Sequence, residues 1–151
     1  MHADYPLSRI QETLTGVTQL VTSCPPEALH QRMPRHSLAE VAAHVAISIT
    51  HWTARVYQPF TAENEDAIYR QLLGISGWDD NFTSESGVIV RLLGPDIIAI
   101  VAKAGANMQA HFGGKVLDEP SARTLLHMLH HTAYHAGEAA TIRRIVTSAS
   151  A

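Results

Sequence analysis

The C-terminal part of the sequence carries three histidines at successive spacings of four residues, His127, His131 and His135. Four residues make about one helical turn, so these side chains stack along one face of a helix. Neutral imidazole is the commonest nitrogen ligand for zinc, nickel, copper or iron, and two imidazoles one turn apart can reach the same ion. The spacing therefore indicates a metal site whose third ligand comes from another part of the fold.

The best candidate for that third ligand is His44, far upstream in the segment SLAEVAAHV. It lies on or beside an apolar stripe, where a histidine without a chemical role is usually a core residue hydrogen-bonded to a backbone carbonyl. The need for a partner from another helix favours the ligand role. His51, two turns further along, is a candidate for a fourth ligand or for a residue that supports the ligands. His127 is a weaker candidate than His131 and His135.

Glu138 follows His135 by three residues, so its carboxylate projects near the same helix face. Three roles are open for it: an acceptor that orients a ligand imidazole, a general base toward metal-bound water, or an ordinary surface charge. Gly137 in a helix interior lowers the stability by roughly 1 kcal/mol relative to alanine. A close helix crossing beside the ligands would explain a glycine at this position. The remaining histidines are expected at the surface or turned away from the ladder: His2, His30, His36, His111 and His130.

Composition indicates one ordinary globular domain that covers residues 1–151. The chain is 46% hydrophobic and 17% charged, which suits a single core. A formal net charge of −3 and the lack of a basic run argue against nucleic-acid binding. Cys24 is the only cysteine, which excludes an intrachain disulfide and a cysteine-rich zinc site. The sequence shows no secretory signal and no apolar run of membrane-spanning length, so a cytoplasmic protein with no membrane partner is expected.

Hydrophobic periodicity predicts four long helices and no strand. The first covers roughly residues 7–22 and is stopped by Pro25 and Pro26. The second begins at a capping box formed by Ser37 and Glu40 and runs toward Pro59.

The two C-terminal helices are predicted at roughly residues 87–112, with a kink or restart at Gly94, and from Pro120 to about residue 146. Between the second and third long helices, the sequence indicates a short helix over residues 65–73 and a loop over 74–86, the kind of loop that often forms a lid or an interface. The predicted fold is an all-α four-helix bundle with a metal site between its helices, as bundles commonly build such sites from facing helices.

Two segments resemble a known family. HTAYHAGEAATIRR is similar to the H-x-x-x-H-R-G-Q segment of the DinB-like family of small four-helix metalloproteins, and SLAEVAAHV is similar to the family segment that carries its other histidine. The resemblance implies that His44, His131 and His135 hold one divalent ion and that the bundle is a homodimer. Several members or close relatives are transferases or isomerases that use a low-molecular-weight thiol. The chain departs from the family at Ala136 and Glu138, where arginine and glutamine are usual.

The resemblance favours a metal-dependent thiol transferase or isomerase that acts on a small-molecule substrate. Three neutral imidazoles leave the charge of the ion intact and coordination positions open, as catalytic sites require. The alternatives are a hydrolase assisted by Glu138, a non-catalytic metal-binding or ligand-sensing dimer, and a bundle that binds no metal. An all-imidazole site suits zinc, nickel, copper or iron, and cellular availability decides among them. We expect zinc or nickel, and coordination by Glu138 would make the site more compatible with iron.

Overall fold

The computed structural model describes residues 1–75 and 92–149, and every regular element in those ranges is an α-helix. Beyond the helices, the described residues contain an isolated β-bridge between His2 and Val116. The all-α prediction is therefore confirmed for this part of the chain. The helices are α1 (Asp4–Thr22), α2 (Leu38–Tyr57), α3 (Glu65–Leu73), α4 (Gly94–Phe112) and α5 (Glu119–Ala149).

The four long helices pack around one apolar core. α4 and α5 each lie between α1 and α2, so that α1 and α2 face each other across the bundle with few contacts. The short helix α3 packs on the outside, against α2 and α4. The largest fully buried side chains come from every helix and include Ile10, Ile47, Tyr69, Met108 and Leu125.

α2 is the most buried helix, and its start is the one that the sequence predicts. The Ser37 hydroxyl accepts the backbone N–H of Glu40 at 3.1 Å, and the Glu40 carboxylate accepts that of Ser37 at 2.7 Å. This capping box satisfies two backbone donors that would otherwise be unpaired at the helix start. Every residue from Leu38 to Thr50 is buried, so a polar side chain on this half of α2 lies away from water whichever way it points.

Helix ends differ from the predicted ones by a few residues. α1 begins at Asp4, three residues earlier than predicted, and α5 runs to Ala149, three residues later. Gly94 opens α4, which agrees with a restart at this point, and the predicted helical residues before 92 lie outside the described residues. The predicted loop over 74–86 likewise lies almost wholly outside them. Among the described helices, none has the length and apolar character that crossing a bilayer requires.

Candidate metal centre

Three of the predicted residues meet where α2 packs against α5. His44 comes from α2, and His131 and His135 come from α5. One ring nitrogen from each histidine lies within 4.8 Å of those of the other two. The ring centroids are 4.5 Å apart for His131 and His135, and 5.1 and 4.7 Å from His44 to these two rings, respectively. The three histidines could therefore hold one metal ion, as the sequence predicts.

The distance between two of these nitrogens matches the separation of two ligands on one metal ion. Nε2 of His44 and Nε2 of His131 are 3.3 Å apart. Two nitrogens bound tetrahedrally to zinc at its usual bond length are separated by about 3.4 Å. The donor set therefore suits a divalent ion, and the spacing of this one pair matches a tetrahedral site.

Burial sets the charge of two of these imidazoles, His44 and His131. His44 and His135 are only 5% and 8% exposed, whereas His131 is half-buried. Burial, together with the neighbouring rings of His135 and His131, lowers the pKa of His44 to about 3. Burial, with His135 and His127 nearby, lowers the pKa of His131 to about 4. His44 and His131 are therefore neutral at physiological pH, which is the form of histidine that binds a metal ion.

Glu138 faces two imidazoles. Its Oε2 accepts a hydrogen bond from Nδ1 of His135 at 2.8 Å, and its Oε1 accepts one from Nδ1 of His36 at 2.7 Å. Burial alone would raise the pKa of Glu138, but the hydrogen bonds from His36 and His135 bring it below its ordinary value. With Nδ1 of His135 used in this way, Nε2 is the ring nitrogen that remains for a metal. The arrangement fits the orienting acceptor, the first of the three predicted roles for Glu138.

The prediction for His36 is wrong. This residue was expected at the surface, but it is half-buried just before α2 and donates to Glu138. Two others expected at the surface, His30 and His111, are half-buried as well. Since His36 and Glu138 are 102 residues apart, no spacing rule within one helix connects them. Only the alignment of α2 against α5 reveals the pair.

Ser48 is a second residue that sequence reasoning did not place in the site. Its hydroxyl oxygen lies 3.3 Å from Nε2 of His44, the same nitrogen that faces His131. A signal existed in this case, because Ser48 follows His44 by four residues and therefore shares its helix face. Ser48 is buried, so it adds a polar group beside His44 on the buried half of α2.

Two other predictions are not supported by the geometry. His51, a candidate fourth ligand, lies away from the cluster, with its Nδ1 3.3 Å from the hydroxyl of Tyr69. His127 stacks on His131 with a centroid distance of 5.9 Å, but it is exposed and does not belong to the triad.

The explanation offered for Gly137 is wrong. Among the described residues, no atom outside its own helix backbone lies within 4 Å of a Cβ added at this position, so no close helix crossing requires glycine there. The close crossing is at Gly105 on α4. There an added Cβ would lie 3.0 Å from Oε1 of Gln11 and 3.1 Å from Cδ1 of Leu14 on α1.

Comparison with known proteins does not identify the family of this chain. The chain matches no protein-family model, no curated protein and no solved structure.

Proposed function

We propose that this protein is a DinB-like, divalent-metal-binding helical bundle that acts as a thiol transferase or isomerase. The observation that carries the proposal is the meeting of His44, His131 and His135 between α2 and α5. The donor set supports the metal, whereas the sequence resemblance supports the thiol chemistry.

The residues of the site have distinct tasks in this proposal. The three imidazoles bind as neutral ligands, so the full positive charge of the ion is kept. A bound divalent ion would lower the pKa of a substrate thiol and hold it as a thiolate. Glu138 fixes the ring of His135 and its tautomer, and His36 holds Glu138 in place from the other side.

The position of Glu138 bears on the metal and on the hydrolase alternative. Both of its carboxylate oxygens accept hydrogen bonds from imidazoles. This arrangement favours zinc or nickel over iron, because iron sites of this kind take a carboxylate ligand. It also favours thiol chemistry over hydrolysis, because a general base must direct an oxygen toward the reacting water.

The non-catalytic alternative has one observation in its favour. His44 and His135 are almost completely buried, so an ion held there would tie α2 to α5 and stabilise the fold. His131, in contrast, is half-buried, and its ring stacks on the exposed ring of His127. We favour catalysis because a substrate could reach the ion from the exposed side of His131.

Location and assembly are part of the same proposal. We place the protein in the cytoplasm and propose a homodimer, as the sequence resemblance implies. Large apolar side chains on α5 are exposed in the single chain and support an association through this helix: Leu126, Tyr134 and Ile145. Light scattering coupled to size-exclusion chromatography will give the mass in solution, and a monomer at micromolar concentration would contradict the dimer.

The test of the activity is a thiol-consumption assay on zinc- or nickel-loaded protein with electrophilic acceptors. We expect turnover in the wild type and none in His131→Ala. His130→Ala is the matched control, since His130 is the neighbouring histidine on α5 and is exposed. A protein that holds metal stoichiometrically but consumes no thiol with any acceptor would contradict the enzymatic proposal.

A further inference from the structure

One buried hydroxyl, that of Ser48, lies at the candidate metal centre. Its Oγ is 3.3 Å from Nε2 of His44, which is also the distance from this nitrogen to Nε2 of His131. An imidazole nitrogen forms its hydrogen bond or its metal bond in one direction, in the plane of the ring. Both neighbours therefore lie in front of the nitrogen that would face a metal ion.

The sequence of α2 places this hydroxyl beside the ring of His44. Ser48 follows His44 by four residues, about one helical turn, so the two side chains share one face of the helix. Ser48 and His44 are only 1% and 5% exposed. The hydroxyl is therefore held at the triad by a buried helix.

The chemistry of serine favours a hydrogen-bonding role over a ligand role. The usual protein ligands of zinc are thiolates, imidazoles and carboxylates, and three imidazoles leave the fourth position of a tetrahedral ion open for a substrate atom. Once Nε2 of His44 is bound to an ion, it can no longer accept a hydrogen from Ser48. A hydroxyl can turn its hydrogen toward another acceptor by rotation about the Cβ–Oγ bond. Ser48 therefore suits a donor to the atom in the fourth position.

The atom in the fourth position is anionic in the proposed reaction, since the substrate sulfur is held as a thiolate. Both oxygens of Glu138 accept hydrogen bonds from imidazoles, so this carboxylate supports the ligands. A hydrogen-bond donor to an anion strengthens its binding and favours its charged form. Ser48 would therefore add to the effect of the ion on the thiol.

We infer that the Ser48 hydroxyl is a catalytic donor that hydrogen-bonds the anionic substrate atom in the open coordination position of the ion. In the proposed function, this atom is the thiolate sulfur, and the inference rests on the proposed function for that identity. The same hydroxyl donates to another small anion placed in that position. A sulfur-free anion therefore tests the role of Ser48 independently of the thiol chemistry.

The test uses the cobalt-loaded full-length protein, because Co²⁺ binds imidazole sites as zinc does and, unlike zinc, absorbs visible light. Two anionic probes are titrated. The thiolate of 2-mercaptoethanol gives a sulfur-to-cobalt charge-transfer band, and azide changes the cobalt spectrum without a sulfur. Competition with a metal-binding indicator measures the cobalt affinity separately. Ser48→Ala should weaken both probes on the order of tenfold at unchanged cobalt affinity, because a hydrogen bond to a charged group is lost.

Two further variants assign the effect to this hydroxyl. Ser48→Thr keeps a hydroxyl at the position and should bind both probes more tightly than Ser48→Ala. Thr50→Val removes a second buried hydroxyl of α2, which donates to the carbonyl oxygen of Ala46 at 2.9 Å. Because that hydroxyl is bonded within its own helix, Thr50→Val should bind cobalt and both probes like the wild type.

The outcomes separate this inference from the proposed function. Unchanged affinity for both probes in Ser48→Ala, or an equal loss in Thr50→Val, overturns the inference, while a thiolate band in the wild type still supports the proposed function. A comparable loss of cobalt affinity in Ser48→Ala also overturns it, because Ser48 would then support the metal site itself.

The reverse result is equally distinct. A wild type that gives no thiolate band but binds azide in a Ser48-dependent way overturns the proposed thiol chemistry and supports the donor role of Ser48. Failure of the wild type to bind cobalt, or to bind either anion, overturns both.

Discussion

Burial keeps imidazoles of the candidate site in the form that binds metal. His44 lies on the half of α2 that is buried on all sides, and its ring nitrogen Nε2 faces His131 and the Ser48 hydroxyl. An uncharged polar ring in such a place costs free energy unless it is satisfied. A divalent ion shared by three histidines would add a strong bond to Nε2, which would stabilise the ring in this buried position.

The low pKa of His44 makes the metal-free protein sensitive to acid. In the unfolded chain, this imidazole titrates near 6.5, whereas in the folded protein its pKa is about 3. The unfolded chain therefore binds more protons below pH 6.5, so stability is complete above that pH and falls as the pH drops toward 3. The loss from this residue is at most about 1.4 kcal/mol per pH unit.

Urea unfolding of the metal-free protein at pH 7.5, 6 and 5 will measure this dependence. The pH dependence should be less steep in His44→Leu, which carries no titrating group at this position. Equal wild-type stability at pH 7.5 and pH 5 would show that His44 is not buried as the structure has it.

The hydrogen bond from His135 to Glu138 supports a second prediction. In Glu138→Ala, the ring of His135 loses the acceptor that fixes its orientation and tautomer, and His36 loses the same partner. We expect zinc affinity to fall about 10- to 100-fold, as is typical when the acceptor behind a metal-binding histidine is removed. Competition with a zinc-binding indicator will measure it. Glu12→Ala, at an exposed glutamate on α1, should keep wild-type affinity.

At the scale of helices, α2 and α5 position all the groups of the site. The sequence predicts much of this, since the capping box fixes the start of α2 and the four-residue spacing places His131 and His135 on one face of α5. The spacing cannot predict how two helices align with each other. The positions of His36 and His51 relative to the site depend on the alignment of α2 with its neighbours. Sequence reasoning therefore missed His36 and wrongly considered His51 as a ligand.

For two helix glycines, substitution by alanine is predicted to change the stability in opposite directions. Gly137 on α5 is exposed, and an added Cβ meets no atom within 4 Å in the described part of the chain. Gly137→Ala should therefore stabilise the protein by about 1 kcal/mol. Gly105 is buried where α4 crosses α1, and its carbonyl accepts a hydrogen bond from Gln11.

Gly105→Ala should destabilise the protein by roughly 1–3 kcal/mol, because the new methyl group crowds Gln11 and the buried side chain of Leu14. Denaturant unfolding of both variants beside the wild type will measure the two changes. Equal stabilisation by the two substitutions would contradict the close packing of α1 against α4.

At the scale of the whole molecule, periodicity and composition predict an all-α bundle because each long helix has a buried apolar stripe. α1 shows this clearly, with Ile10, Leu14, Val17 and Val21 buried along one side. The order of the helices around the core could not be predicted in this way. α2 is buried on nearly every side of its first half, so its pattern alone does not indicate which helices are its neighbours.

Metal binding should stabilise the whole bundle, since the triad joins α2 to α5. Free zinc at about 100 times its dissociation constant adds roughly 2.7 kcal/mol, if it binds only the folded protein. In a domain of this size we expect the Tm to rise by roughly 5–10 °C. Thermal unfolding with zinc and with a chelator will measure the shift, which should vanish in His131→Ala and persist in His130→Ala.

The central claim is that imidazoles from two helices hold one metal ion, and element-resolved analysis of the purified protein tests it most directly. Wild type, His44→Ala and His135→Ala would be produced side by side with added zinc and nickel. We expect about one equivalent of divalent metal per chain in the wild type and almost none in either variant. A wild type without stoichiometric metal, or variants that keep the wild-type amount, would contradict the claim.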